Sequence, residues 1–141
     1  MLGFFKMKKT LRYLINNNKD DDIAITSDDN QPIKFSELKK HVYNISSQLS
    51  GNGILKTDRA AIVLPNGPEM ATAFLAVSSY MSAAPLNPSY KLSEYEFYLE
   101  DLKPKIVIVE KDSSNPVIAA ANKLGIEICE IKRNEAAPAG I

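Results

Sequence analysis

The spacing of apolar residues changes along the chain, and each change marks an element. From Ser36 onward Leu38, Val42, Ile45 and Leu49 recur at spacings of four, three and four, the stripe of a helix that buries one side. Gly51 and Gly53 follow and are expected to end it, because glycine enters the left-handed region without strain. Ala60 to Leu64 is then apolar throughout, as in a strand covered on both faces. It stops at Pro65-Asn66-Gly67-Pro68, where Pro68 suits the first turn of a new helix with Met70, Ala73, Phe74, Val77 and Met81 on its buried side. Ala83 to Leu86 reads as the next strand, Ser93 to Leu102 as the next helix, and Ile106 to Val109 as a third strand. Asn115 is placed to cap a further helix with Pro116 at its first position, Val117, Ala121 and Leu124 inward and Gly125 at its end. Ile126 to Ile131 alternates apolar and charged residues, the pattern of a sheet edge or a half-exposed face.

Upstream, Thr10 to Asn18 reads as a short helix with Leu11, Leu14 and Ile15 on one side, followed by the acids Asp20, Asp21 and Asp22 in a solvated loop. Two short apolar stretches around Asp28-Asp29-Asn30 predict an antiparallel hairpin. The sum is an α/β fold: a largely parallel sheet with helices on both faces, preceded by that hairpin. Residues 1–131 form one α/β unit, and 132–141, without periodicity, are expected to fray.

Composition narrows the partners. Seventeen basic residues balance seventeen acidic ones in 141, so no global field favours nucleic acid or an anionic membrane. The longest apolar run, Met70 to Leu86, is interrupted by serines and Pro85 and falls short of the ~20 residues of a bilayer span. No signal-peptide pattern opens the chain, and a cytoplasmic location is expected. The lone Cys129 sits in a strand pattern and reads as a buried, inert thiol.

Catalytic chemistry is thin. Neither a dinucleotide-binding G-x-G-x-x-G nor a P-loop occurs. One histidine, His41, builds no Ser-His-acid or Cys-His set and no zinc site, and is expected to be a solvated helical residue. The carboxylates Glu94 and Glu96 lie at a helix start, where Ser93 and Glu96 match a capping box. Tyr95, Tyr98, Leu99 and Leu102 share a face and read as core, with Phe97 pointing elsewhere. No residue is assigned to catalysis, cofactor or metal. The positions left open for ligand contact are the strand-end loops at Asn66, Asn87 and Ser113, whose residue types also suit turns and caps alone.

From Ser36 to Asp101 the motifs follow one another in the order and spacing of a known family. Phe35, Ser36, Glu37 and Leu38 match a "lTY-x-eL" helix start, and Gly53, Ile54, Asp58 and Arg59 a "G-hydrophobic-x-x-g-D-r" entry to a strand. Pro65, Asn66 and Glu69 match "lpN-s-x-E"; Pro85 to Pro88 with Tyr90 match "P-L-N-P-x-y"; and Glu94, Tyr98, Leu99 and Asp101 match "E-l-x-y-x-l-x-d". The chain resembles the N-terminal part of the AMP-forming acyl-CoA synthetase and adenylate-forming ligase superfamily, closest to an oxalate-CoA ligase-like or fatty-acyl-CoA ligase-like branch. Gly67 stands where the family often has Ser or Thr, and the connection around Ser78 to Pro85 lacks the family's usual glycine. The resemblance implies a partial N-terminal subdomain of an adenylate-forming enzyme. Its parent would use ATP, Mg and coenzyme A to convert a small carboxylic or fatty acid, through acyl-AMP, into a thioester. None of the family's later catalytic motifs has a match, so the segment alone is expected to be an inactive scaffold whose partner is the remainder of the ligase chain. The alternative is a stand-alone truncated homologue, an interaction or oligomerisation module using exposed apolar surface.

Overall fold

The computed structural model of the chain describes residues 10–28, 30–132, 138 and 140. Helix α1 (Leu11–Asn16) starts at Thr10, whose hydroxyl accepts the Tyr13 amide at 3.2 Å. Strands β1 (Ile23–Ile25) and β2 (Ile33–Lys34) pair antiparallel as the expected hairpin. Then come α2 (Phe35–Gly51), β3 (Arg59–Val63), α3 (Pro68–Ser78), β4 (Ser82–Pro85), α4 (Leu92–Leu102), β5 (Ile106–Glu110), α5 (Val117–Leu124) and β6 (Glu127–Ile131).

The second sheet has the order β4-β3-β5-β6, and all its pairings are parallel. From β3 the chain crosses through α3 to β4 on one side, then returns through α4 past β3 to β5, and α5 continues to β6. Right-handed crossovers in opposite directions place their helices on opposite faces. The side chains of the central strand show it. Ala60 and Ile62 pack with Leu49 of α2 and Val77 of α3, whereas Ala61 and Val63 pack with Tyr95 and Leu99 of α4 and Val117, Ala120 and Ala121 of α5. A third cluster, Ile15, Ile33, Leu38, Val42 and Ala76, ties α1 and the hairpin to the outer side of α2 and α3.

Several local expectations change. Gly51 lies inside α2, and the left-handed residue that ends the turn is Gly53, at φ 76°. Thr72, Ala76 and Val77 are the buried residues of α3, while Phe74 is 38% exposed. This helix touches α2 as well as the sheet, which rotates its buried arc away from Phe74. The Ser93–Glu96 capping box does not form. Glu94 instead accepts the Lys91 amide at 2.8 Å, and Glu96 pairs with Lys123 of α5 at 3.0 Å. The box shifts because α4 begins at Leu92, so position three of the helix falls on Glu94. The loop acids are exposed but tethered to the α2 region: Asp20 to Lys39 at 2.6 Å and Asp21 to Lys34 at 3.2 Å. The tail expected to fray falls largely outside the described residues; of its members, Gly140 is buried against Pro68 and Thr72.

Candidate functional site

In an open parallel sheet, ligands collect beyond the carboxyl ends of the strands, where neighbouring strands send their connections to opposite faces. Here that point lies between β3 and β5. The β3–α3 loop, Pro65 to Gly67, leaves toward one face, and the β5–α5 loop, Lys111 to Pro116, toward the other. A crevice of about 310 Å³ opens there, lined by Leu64 to Glu69, by Glu110 and Ile131 at the ends of β5 and β6, and by Ser27 and Asp28 of the hairpin.

Asn66 lies exposed in this crevice. Gly67 is extended (φ 165°), a conformation open to any residue, and an added Cβ there would meet only the Glu69 carboxylate at 3.4 Å. A serine or threonine would therefore fit as well. The other two sequence candidates turn inward to structure. The Asn87 side chain accepts the Ser89 amide at 2.9 Å, and its backbone carbonyl accepts the Tyr95 hydroxyl at 2.8 Å. Ser113 accepts the Asn115 amide at 3.2 Å. Asn115 caps α5 through the Val117 amide at 2.9 Å and donates its side-chain amide to the Pro88 carbonyl at 2.8 Å. That last bond stitches the β4–α4 loop to the β5–α5 loop; sequence inspection missed it, and a side chain bridging two loops leaves no local pattern.

Three of the motif acids share one task. Glu37 accepts the Lys34 amide at 2.9 Å, Asp58 the Leu55 amide at 2.8 Å, and Glu94 the Lys91 amide at 2.8 Å. Each closes a turn that starts a helix or feeds a strand. Arg59 donates to the Leu102 carbonyl at 2.6 Å and so fastens the end of α4 beneath the start of β3. Tyr80 does the same for Ile54, at 2.7 Å.

His41 is half-buried rather than solvated, and burial lowers its pKa below 6.5. Cys129 is also half-buried, and burial, with Glu127 nearby, raises its thiol above 9.0. Burial raises the Tyr95 phenol above 10.0. Among the described residues no group of three or more His, Cys, Asp or Glu side chains is arranged to hold a metal. Among the described residues the crevice gathers Asp28, Glu69 and Glu110 and no lysine or arginine. A nucleoside triphosphate requires the opposite sign of charge, so these residues do not fit one.

The family model described as AMP-binding enzyme matches residues 14–139. The chain belongs to the AMP-binding enzyme family. It is 40% identical over 82 residues to an oxalate–CoA ligase of Arabidopsis thaliana, covering 57% of this chain and 16% of that protein. To the oxalate–CoA ligase of Saccharomyces cerevisiae it is 39% identical over 93 residues, 62% of this chain and 17% of the relative. The ATP-bound structure of MatB from Rhodopseudomonas palustris superposes with a TM-score of 0.75 at 25% identity, over 87% of this chain and 25% of that one. The AMP complex of the o-succinylbenzoate coenzyme A synthetase MenE from Bacillus subtilis has the same fold here, at a TM-score of 0.72. The chain thus spans about a sixth of the length of the curated ligases and about a quarter of the solved MatB chain. As its motifs implied, its fold is α/β and of adenylate-forming enzyme type. Among the described residues no helix is long and apolar enough to cross a membrane.

Proposed function

We propose that the chain is the N-terminal scaffold segment of an acyl-CoA synthetase, a larger protein that activates a carboxylate as acyl-AMP and passes the acyl group to coenzyme A. ATP, Mg and coenzyme A are then bound by later sequence, and this segment contributes the parallel sheet and the rigid turns at its edge. The observation that carries this reading is the use of the family motifs. Glu37, Asp58 and Glu94 are spent on backbone amides that close turns, and Asn115 holds two loops in register. Among the described residues the crevice at the sheet edge is lined by carboxylates and by no lysine or arginine, in keeping with a supporting role.

Two measurements test the proposal. The intact mass of the protein carrying this segment, purified from its native source, is expected to be several times 15.6 kDa. The purified 141-residue chain is expected to form no acyl-AMP from oxalate, other short dicarboxylates or fatty acids with Mg-ATP. Adenylate formation by the chain alone would overturn the scaffold assignment, and a native mass near 15.6 kDa would favour a free-standing interaction module.

A further inference from the structure

The chain contains the same reactive dipeptide twice, as Asn52-Gly53 and as Asn66-Gly67. Where glycine follows asparagine, its amide nitrogen can attack the carbonyl carbon of the asparagine side chain, because glycine has no Cβ to crowd the approach. The dipeptides are identical, but their surroundings differ. At Asn52, which closes α2, both reacting groups are tied down: the side-chain amide donates to the Gln48 carbonyl at 2.8 Å, and the Gly53 amide donates to the Ser50 carbonyl at 3.1 Å. Asn66 lies exposed beyond the end of β3, and among the described residues neither its side chain nor the Gly67 amide takes part in a hydrogen bond. Beside Gly67 there is room, since an added Cβ would meet only the Glu69 carboxylate at 3.4 Å. We propose that Asn66-Gly67 is a self-modification site, at which Asn66 is converted through a succinimide to aspartyl and isoaspartyl products.

The reaction needs only solvent. The Gly67 amide gives its proton to hydroxide, and its nitrogen bonds to Asn66 Cγ. The bond from Cγ to Nδ2 then breaks, and the side-chain nitrogen leaves as ammonia with a proton taken from water. Water opens the succinimide at either carbonyl, which leaves a carboxylate and releases a proton. Charge nearby acts in both directions. Gly67 is the N-cap of α3, whose positive end favours the anion formed on the attacking nitrogen, whereas Asp28, Glu69 and Glu110 around the crevice oppose it. The hydrogen bonds decide between the sites, because ring closure at Asn52 must first break its two, together a factor of about ten or more in rate. Either product adds a carboxylate to a crevice already lined by acids, and the isoaspartyl product also lengthens the β3–α3 turn by a methylene. The chemistry is the same whether or not the chain is part of a ligase.

The 141-residue chain is incubated at mildly alkaline pH, once folded and once in urea, and peptide mapping by mass spectrometry follows conversion at each asparagine. In the folded chain Asn66 is expected to convert about tenfold faster than Asn52 or more, and in urea the two rates are expected to converge. An isoaspartyl-specific carboxyl methyltransferase, supplied with S-adenosylmethionine as a reagent, is expected to methylate position 66 of the aged chain. Gly67→Ser, for which the turn has room, is expected to slow conversion at Asn66 severalfold, with the rate at Asn52 and the circular dichroism spectrum unchanged. Asn66→Gln is expected to abolish methylation at that position. An Asn66 that stays intact in the folded chain, or converts no faster than Asn52, overturns the proposal. So does an Asn66 rate indifferent to Gly67→Ser, or a preference for Asn66 that persists undiminished in urea, where the fold no longer distinguishes the two sites.

Discussion

Removing the Tyr95 hydroxyl while keeping its ring separates packing from hydrogen bonding at the centre of the α4 face. Tyr95 is fully buried, its ring meets Tyr90 edge-on at 5.8 Å, and its hydroxyl donates to the Asn87 carbonyl at 2.8 Å. In Tyr95→Phe the ring contacts survive. The Asn87 carbonyl also keeps a partner, because the Tyr90 amide donates to it at 3.2 Å. The loss is therefore that of one net hydrogen bond without a fully orphaned acceptor, about 1 kcal/mol. Tyr95→Ala removes the ring from a site with little room to collapse and is expected to cost about 3–5 kcal/mol. Urea unfolding reads both: with a slope of about 2 kcal/mol/M, the Phe variant lowers the midpoint by about 0.5 M and the Ala variant by about 1.5 M or more. The pH dependence gives a second readout. The folded phenol has its pKa raised above 10.0 by burial, so its contribution is complete below pH 10.0 and is lost as pH climbs through the folded value; the Phe variant lacks that loss. Equal midpoints for wild type and Phe would show that the hydroxyl bond contributes nothing. Equal midpoints for Phe and Ala would refute the division between ring and hydroxyl.

Glu94→Ala is expected to cost about 1 kcal/mol through the lost cap on Lys91, and Glu96→Ala, which breaks only a solvent-facing pair with Lys123, less than about 0.5 kcal/mol; thermal melts that reverse the order would restore the Ser93–Glu96 box. Lys103 ends α4 in the left-handed region at φ 47°, so Lys103→Gly is expected to raise stability by about 0.5 to 1 kcal/mol in chemical denaturation, and destabilisation would contradict this. His41 has its folded pKa lowered below 6.5, so stability is full above pH 6.5 and declines as pH falls through the folded value; His41→Gln should flatten that limb of a pH–stability curve.

The hydrophobic pattern exposed the topology because each parallel strand is buried on two faces and therefore reads as an uninterrupted apolar run. Ala60 to Leu64 and Ile106 to Val109 are such runs, and the alternation in Ile126 to Ile131, open between a sheet edge and a half-exposed face, belongs to the last strand of the described sheet. Helix phase was harder. Periodicity alone turns Phe74 inward, yet α3 serves two neighbours at once, and only the angle between them decides that Thr72 and Ala76 are covered instead. The capping residue of α4 slipped by two positions for a related reason. Both Ser93–Glu96 and Lys91–Glu94 place a glutamate three residues after a candidate cap, and backbone geometry alone selects the one with Lys91 extended at φ −80° and ψ 166°. Of the three open loops, Asn66 faces the crevice, whereas Asn87 and Ser113 bond within their own turns, a distinction between identical residue chemistries that depends on which loop has a neighbour to hold.

That division also explains why these motif residues recur at fixed spacings along the chain. Conformational demands in the connections around the sheet fall on few residue types: a left-handed glycine at Gly53, a carboxylate one turn into a helix at Glu37 and Glu94, and an acid at Asp58 that folds back on the Leu55 amide before β3 begins. Each demand is local, so each leaves a fixed spacing in the sequence. Their combined effect is long-range, because the turns they close set where α2, β3 and α4 begin, and Asn115 bonding to Pro88 ties the loops after β4 and β5 together. A ligand site assembled at that edge from other parts of a chain would inherit this positioning without any contact from the residues that create it. The motif residues of this segment are thus read most economically as positioning elements, and substitutions at Glu37, Asp58 and Glu94 should act through stability and loop register before they act on chemistry.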